Sequence, residues 1–214
     1  MPRDATSTRE RLLRAGEHLL ARKGIDGALT RDIVTMAGQA NDSAVHYHFG
    51  SRRGLLGAIV DRHIRRMEEQ RKPALAALTA DADLGAVLAA VVEPMTAELT
   101  DQSGRDFLRI VVQLAGQAGV RTGEVPHPLA GTALAEQLAL LHRRSTEHLA
   151  EPIARERIAI AIVMLTAALA DRARHVDERL PMLLEHDAFV ANLVTMLTAA
   201  LAAPEPARPG RDTV

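Results

Sequence analysis

Residues 30–53 read TRDIVTMAGQANDSAVHYHFGSRR, and this stretch decides the fold. Thr30 opens a short helix, with Asp32 in its first turn and Leu29 and Val34 spaced as a hydrophobic staple. The helix runs from Arg31 to about Ala37, and Gly38 ends it. Asn41 or Asp42 then caps a second short helix through Val45 to about Phe49, stopped by Gly50. On it Val45 and Phe49, four apart, face inward, while Asp42, Ser43, His46 and Tyr47 point away. Two short helices across a turn, the second apolar inside and hydrogen-bonding outside, have the layout of a helix-turn-helix. The turn calls for a small residue so that the helices cross closely, and Ala37-Gly38 supplies it.

The flanks support that reading. Ser7-Thr8-Arg9-Glu10 has capping-box form, with Ser7 as the expected N-cap. Behind it Leu12, Leu13, Gly16, Leu19 and Leu20 share one helical face, and Lys23-Gly24 closes the helix. Downstream, Ser51 caps a longer helix whose Leu55, Leu56, Ile59, Val60, Ile64 and Met67 make a continuous stripe. The side chains placed to meet base edges or phosphates are Thr30, Arg31, Asn41, Asp42, Ser43, His46, Tyr47, His48, Arg52 and Arg53. Charge agrees with this assignment: residues 1–72 hold 14 Arg/Lys against 9 Asp/Glu, while the other 142 hold 12 against 18. A basic end on an acidic body suits contact with a polyanion.

These residues carry a family resemblance. Residues 9–60 resemble the N-terminal DNA-binding domain of the TetR family of bacterial transcriptional regulators, matching in order at Arg9 through Leu20, Lys23-Gly24, Thr30-Arg31-Asp32-Ile33, Ala37-Gly38, Val45 through Arg52 and Leu55-Leu56. The departures are a turn about one residue longer than the commonest form, His46 where many relatives have Tyr, and Arg52 for the usual Lys. The resemblance implies a regulator, a repressor in the first instance, that binds a pseudo-palindromic operator as a homodimer and is released by a small-molecule effector. A transcriptional activator of the same fold, or a helical interaction module without sequence-specific DNA binding, is the alternative.

Composition sets the class of the remainder. With four aromatics and no cysteine in 214 residues, the core is built from Leu, Ile, Val, Met and Ala, which points to an all-α chain. Disulfides, thiol catalysis and Cys-ligated metals are excluded. No apolar run suggests a signal peptide or a membrane span, so the chain is expected to be cytoplasmic. Expected organisation is a three-helix DNA-binding domain over residues 1–52, a helical ligand-binding and dimerisation domain over 53–203, and a Pro-rich tail over 204–214 expected to be disordered.

In the second domain, helices are expected at about Asp83–Leu99, with Pro94 kinking or breaking it, Arg105–Ala118, Pro128–Glu147, Pro152–His175 and His186–Ala202. Ile158, Ala161, Ile162, Leu165, Ala168 and Leu169, with Phe189, Leu193, Met196, Leu197 and Ala200, make broad apolar surfaces on the last two. They either bury each other within one subunit or, as the resemblance implies, form a four-helix dimer interface. Candidates to line an effector pocket are Met95, Phe107, Ile110, Val111, Gln113, Leu114, Leu138, Leu141, His142 and Met164, for each of which plain core packing is the competing reading. Scarce aromatics favour an aliphatic effector. No metal site, cofactor motif or catalytic constellation is visible: His46 and His48 lie on different sides of a helix, and Glu147-His148 lacks a second histidine. Enzyme activity is not expected.

Overall fold

The structure is a computed structural model that describes residues 2–41, 43–117, 121 and 129–205. Asp42, Ala118, Pro128, all of the 119–127 turn but Arg121, and residues 206–214 of the tail lie outside the described residues; the helix expected from Pro128 begins at Ala133, capped by Thr132. Nine α-helices and no strand occur among those described: α1 Pro2–Lys23, α2 Thr30–Met36, α3 Ala44–Phe49, α4 Arg52–Ala77, α5 Leu84–Thr96, α6 Gln102–Leu114, α7 Ala133–Thr146, α8 Glu151–Glu178 and α9 His186–Ala202. None of these helices is long and apolar enough to cross a membrane.

Two apolar cores organise the helices. The first, the head, gathers Leu12 and Leu20 of α1, Ile33 and Val34 of α2, Val45 of α3, and Leu55 and Ile59 of α4. The second, the body, takes Met67 of α4, Val87 and Val91 of α5, Phe107 and Leu108 of α6, Leu141 of α7, Ile158, Leu165 and Leu169 of α8, and Leu193 and Leu197 of α9. Two helices serve both cores. α4 gives its first turns to the head and its later turns to the body, and Ile110 of α6, with no exposed surface, completes the head's core.

Several local readings change in the structure. α1 begins at Pro2, so Ser7 lies inside the helix and forms no cap; Glu10 instead pairs with Arg14 at 3.0 Å and Arg62 at 3.1 Å. Gly38 is needed for its backbone, not for a close crossing. It sits at φ +67°, and a Cβ there would meet nothing within 4 Å. The close crossing is elsewhere in the head: a Cβ on Gly16 would lie 2.8 Å from the tip of Leu55, where α1 meets α4. α6 starts three residues earlier than expected because the Asp101 carboxylate accepts from Gly104 N at 2.8 Å.

Pro94 neither breaks α5 nor ends it, and the reason is chemical. Proline has no N–H, so the carbonyl four residues earlier loses its helical partner. That carbonyl, Ala90 O, accepts instead from Gln137 Nε2 of α7 at 3.1 Å. Gln137 Oε1 in turn accepts from Nη1 of Arg71 at 3.2 Å, and all three residues are buried. Burial lowers the Arg71 guanidinium to about 10, against the opposing pull of Glu68 and Glu98. Glu68 meanwhile accepts from Ala133 N at 2.8 Å at the start of α7. Pro73, inside α4, needs no such substitute, since it and Glu69 four residues before it are exposed to water.

Gln137→Ala should therefore cost about 3 kcal/mol, leaving a buried carbonyl and a buried guanidinium N–H unpaired. In a Pro94→Ala background, where residue 94 regains its N–H, the same substitution should cost roughly 1 kcal/mol less. Urea unfolding of the four chains of that cycle measures it; equal costs in both backgrounds would show that Gln137 does not stand in for the missing helical bond.

Candidate nucleic-acid interface

α3 is built to show one face. Val45 is buried at its start and Phe49 is half-buried at its end, with the Arg9 guanidinium 5.0 Å from the Phe49 ring centre. The side chains between them project outward: His46 is exposed, and Tyr47 is 81% exposed with its ring edge-on to His48 at 4.9 Å. The helix start is tied by Asn41, whose Oδ1 accepts from Ser43 N at 2.9 Å and Ser43 Oγ at 2.8 Å. That leaves the Asn41 amide nitrogen and the lone pairs of Ser43 for an outside partner. Gly50, at φ +73°, turns the chain from α3 into α4, and Ser51 Oγ caps α4 by accepting from Gly54 N at 2.9 Å.

The cations flanking α3 differ in their commitments. Arg31 and Arg53 are exposed, Arg31 with only a 3.7 Å approach to Asp32. Lys23 donates to Asp32 at 2.8 Å, and that hydrogen bond holds the Asp32 carboxyl below its usual range. Thr30 and His48 are half-buried, at the first turn of α2 and the last of α3. Arg52 is also half-buried, with its Nε and Nη2 withdrawn from solvent. Of the ten residues singled out in the sequence, nine are described, and Asn41, Ser43, His46, Tyr47 and Arg53 share exposure in or beside α3.

Residues 12–59 match the sequence model of the bacterial regulatory proteins of the tetR family. The match falls within the head, from α1 to the first turns of α4. The fold of the whole described chain also matches a solved tetR family transcription regulator from Shewanella sp. PV-4, at TM-score 0.58 and 16% identity, covering 89% of this chain and 95% of that one. A TetR-family regulator from Rhodococcus sp. aligns at TM-score 0.48 and 16% identity over 92% of this chain and 100% of that one. One from Streptomyces coelicolor A3 aligns at 0.49 and 19% over 94% and 97%. No curated protein matches by sequence.

Behind the head, the residues read as pocket lining fall into different places. Met95, Phe107 and Leu141 are buried in the body, with Val111 and Met164 packed against that core. Ile110 and Leu114 belong to the head's core instead. Gln113 is a strut between the two, accepting from Ile25 N at 2.9 Å and donating to Arg109 O at 2.8 Å. His142, half-buried, lies 3.1 Å from Glu151, and Leu138 is half-buried on α7. Of the dimer candidates, Ile158, Ala161, Leu165, Leu169, Leu193 and Leu197 are buried within the protomer, so a partner could bury nothing more of them. Ile162, Ala168, Phe189 and Ala200 are half-buried, and Met196 is exposed. Other outward apolar positions include Ile160 and Val163 on α8 and Leu183 before α9, at 46%, 41% and 100% exposure.

Sequence reading missed the ionic centre that joins head to body. His63 of α4, 1% exposed, lies between two buried carboxylates: Nδ1 meets Glu98 at 2.6 Å and Nε2 meets Glu17 of α1. Its ring stacks on Phe107 of α6 at 4.3 Å. Ser103 Oγ donates to Glu17 at 2.7 Å, and Arg66 bridges Glu98 at 2.8 Å and Asp101 at 2.9 Å. Burial alone would lower the His63 pKa, but its hydrogen bonds to Glu17 and Glu98 outweigh that and leave it raised. With both ring nitrogens facing carboxylates, the ring is an imidazolium that donates twice. A signal was present in the sequence: position 63 continues the 55–59 stripe, and position 17 lies on the face of Leu13 and Leu20.

A raised histidine pKa gives stability that is complete below the unfolded value and is lost as pH climbs through the folded one. Asp106, raised by burial against its bond to His18, loses stability in the same sense, but over a window that opens at the ordinary carboxyl value in acid. Thermal stability should therefore fall as pH rises from neutrality. His63→Gln should cost about 3 kcal/mol at neutral pH by stranding two carboxylates and should remove most of that slope. Melting curves across the neutral-to-alkaline range would decide it; a variant with an unchanged slope would place the pH sensitivity elsewhere.

Proposed function

We propose that this protein is a transcriptional repressor that binds a pseudo-palindromic operator as a homodimer and leaves it when a small-molecule effector binds the body. The observation that carries the proposal is the outward row of Ser43, His46 and Tyr47 on a short helix whose other face is locked into the head. A helix presented this way fits the major groove, with two heads of a dimer reaching half-sites roughly 34 Å or a little more apart. Arg31, Arg52 and Arg53 contact phosphates and set the salt dependence. Ser43, His46 and Tyr47 face the bases.

The dimer uses the outward faces of the last two helices. Ile160, Val163 and Ala167 follow one another down the exposed side of α8, as Ala191, Thr195 and Ala199 do on α9. An apolar effector held among the body helices acts through α4, which belongs to both cores, and shifts the equilibrium only if it prefers the conformer whose heads miss the groove spacing.

Tyr47→Ala should weaken operator binding about tenfold on all sequences, whereas His46→Ala should change which bases are tolerated. Fluorescence anisotropy with the duplex upstream of the protein's own gene, against a scramble and at two salt concentrations, reads both. Val163→Glu should convert dimer to monomer in sedimentation and abolish tight operator binding, because one head alone holds one half-site. A chain that is monomeric before substitution would end the dimer reading.

A further inference from the structure

Between head and body lies an open cleft of about 620 Å³ whose polar demand is unmet. Its apolar walls are Leu20 and Ile25 of the α1 region, Leu56 of α4 and Leu114 of α6. Two of its polar walls are already satisfied: Gln113 is bonded at both ends of its amide, and Ser51 caps α4. Arg52 is not. Its Nε and Nη2 are buried in the cleft wall and make no hydrogen bond. Those two nitrogens lie on one edge of the guanidinium and point their hydrogens the same way, matching the two oxygens of a carboxylate. Leaving them dry and unpaired is costly; they are closed to the cleft as the side chain stands, and turning the guanidinium onto an anion held in the cleft removes the cost.

We infer that this cleft is a binding site for a small monocarboxylic acid with an aliphatic body, its carboxylate taken side-on by Arg52 and its chain laid over Leu20, Ile25, Leu56 and Leu114. The charge of the site selects one negative charge. Arg52 and Arg53 are opposed by Asp26, which also lines the cleft and repels a doubly charged head group such as a phosphate monoester. The volume suits a ligand of modest size. A long side chain with four torsions reaches the incoming anion by a small rotation. The site is separate from the body positions Met95, Phe107 and Leu141, and the pairing has a consequence that rests on the regulator reading: a carboxylate that keeps Arg52 turned into the cleft keeps it off the operator phosphates.

The test titrates the DNA-free full chain with straight-chain carboxylates from butanoate to decanoate, with octanol as the uncharged control, octyl phosphate as the doubly charged one, and calorimetry as the readout. A member of the series should bind, with octanol and octyl phosphate each weaker by about tenfold or more. Arg52→Gln and Arg52→Lys should both lose about tenfold, the lysine because it keeps the charge but not the fork. In the wild-type chain the side-chain Nε–H resonance of Arg52 should move downfield on titration, a readout that needs no variant to fold. Binding of none of the series, equal binding of octanol, or an unmoved Arg52 resonance would each overturn the site. With duplex present, the bound carboxylate should weaken DNA affinity about tenfold, and an unchanged affinity overturns the link to DNA. Carboxylate binding through Arg52 in a chain that holds no duplex leaves the site standing and overturns the regulator reading instead.

Discussion

A histidine ring clamped between two carboxylates in a space closed to water is an expensive arrangement, and the relation of head to body depends on it. Removing Glu17, His63 and Glu98 from water costs several kcal/mol per charge, recovered only when each charge faces an opposite one at hydrogen-bond distance. All three must therefore stay in register. Glu17 belongs to α1, His63 to α4, and Glu98 to the 3-10 turn Ala97–Thr100 between α5 and α6. Three segments of chain are thus held at one point by geometry that tolerates little sliding. Apolar packing alone would be more permissive, because dispersion contacts are non-directional.

Around that point the head–body seam is mostly polar. His18 meets Asp106 at 3.1 Å, and Asp177 of α8 gathers Arg109 at 2.8 Å and Arg22 at 3.6 Å, so α1 of the head is tied through α6 to α8 of the body. Its carboxyl is held low, burial being outweighed by hydrogen bonds from Arg105 and Gln102 and the charge of Arg109. α4 crosses the seam with Leu55 in one core and Met67 in the other. The Ala90–Gln137–Arg71 chain ties α5 and α7 to α4, whose first turn follows α3. A rigid clamp and a shared helix together make the head's position a property of the body's packing.

Much of the head was legible because its signals are local. Gly38, Gly50 and Ser51 each fix a boundary by their own backbone or cap chemistry, and the 3.6-residue stripe names the buried faces. α9 was legible too, the expected His186–Ala202 being the helix observed. What could not be read depends on partners distant in sequence. Pro94 looked like a break because its substitute donor, Gln137, is 43 residues away. His63 looked unremarkable because both of its partners lie on other elements, 46 and 35 positions off. Ile110 and Leu114 carry the periodicity of body residues, and only the docking of α6 against α1 sends them into the head.

The division of apolar residues on α8 completes the argument. An amphipathic surface helix shows one apolar stripe and an opposite polar face. The 28-residue α8 shows two stripes in its middle turns: Ile158, Ala161, Leu165 and Leu169 are buried in the protomer, and Ile160, Val163 and Ala167 face out. Its charges collect toward the ends, at Glu151, Arg155 and Glu156, and at Asp171, Arg174 and Glu178. One chain covers only one of those sides. Reading the stripe by composition alone merges the two faces, which is why the residues that fill the core and those that face outward looked like a single surface in the sequence.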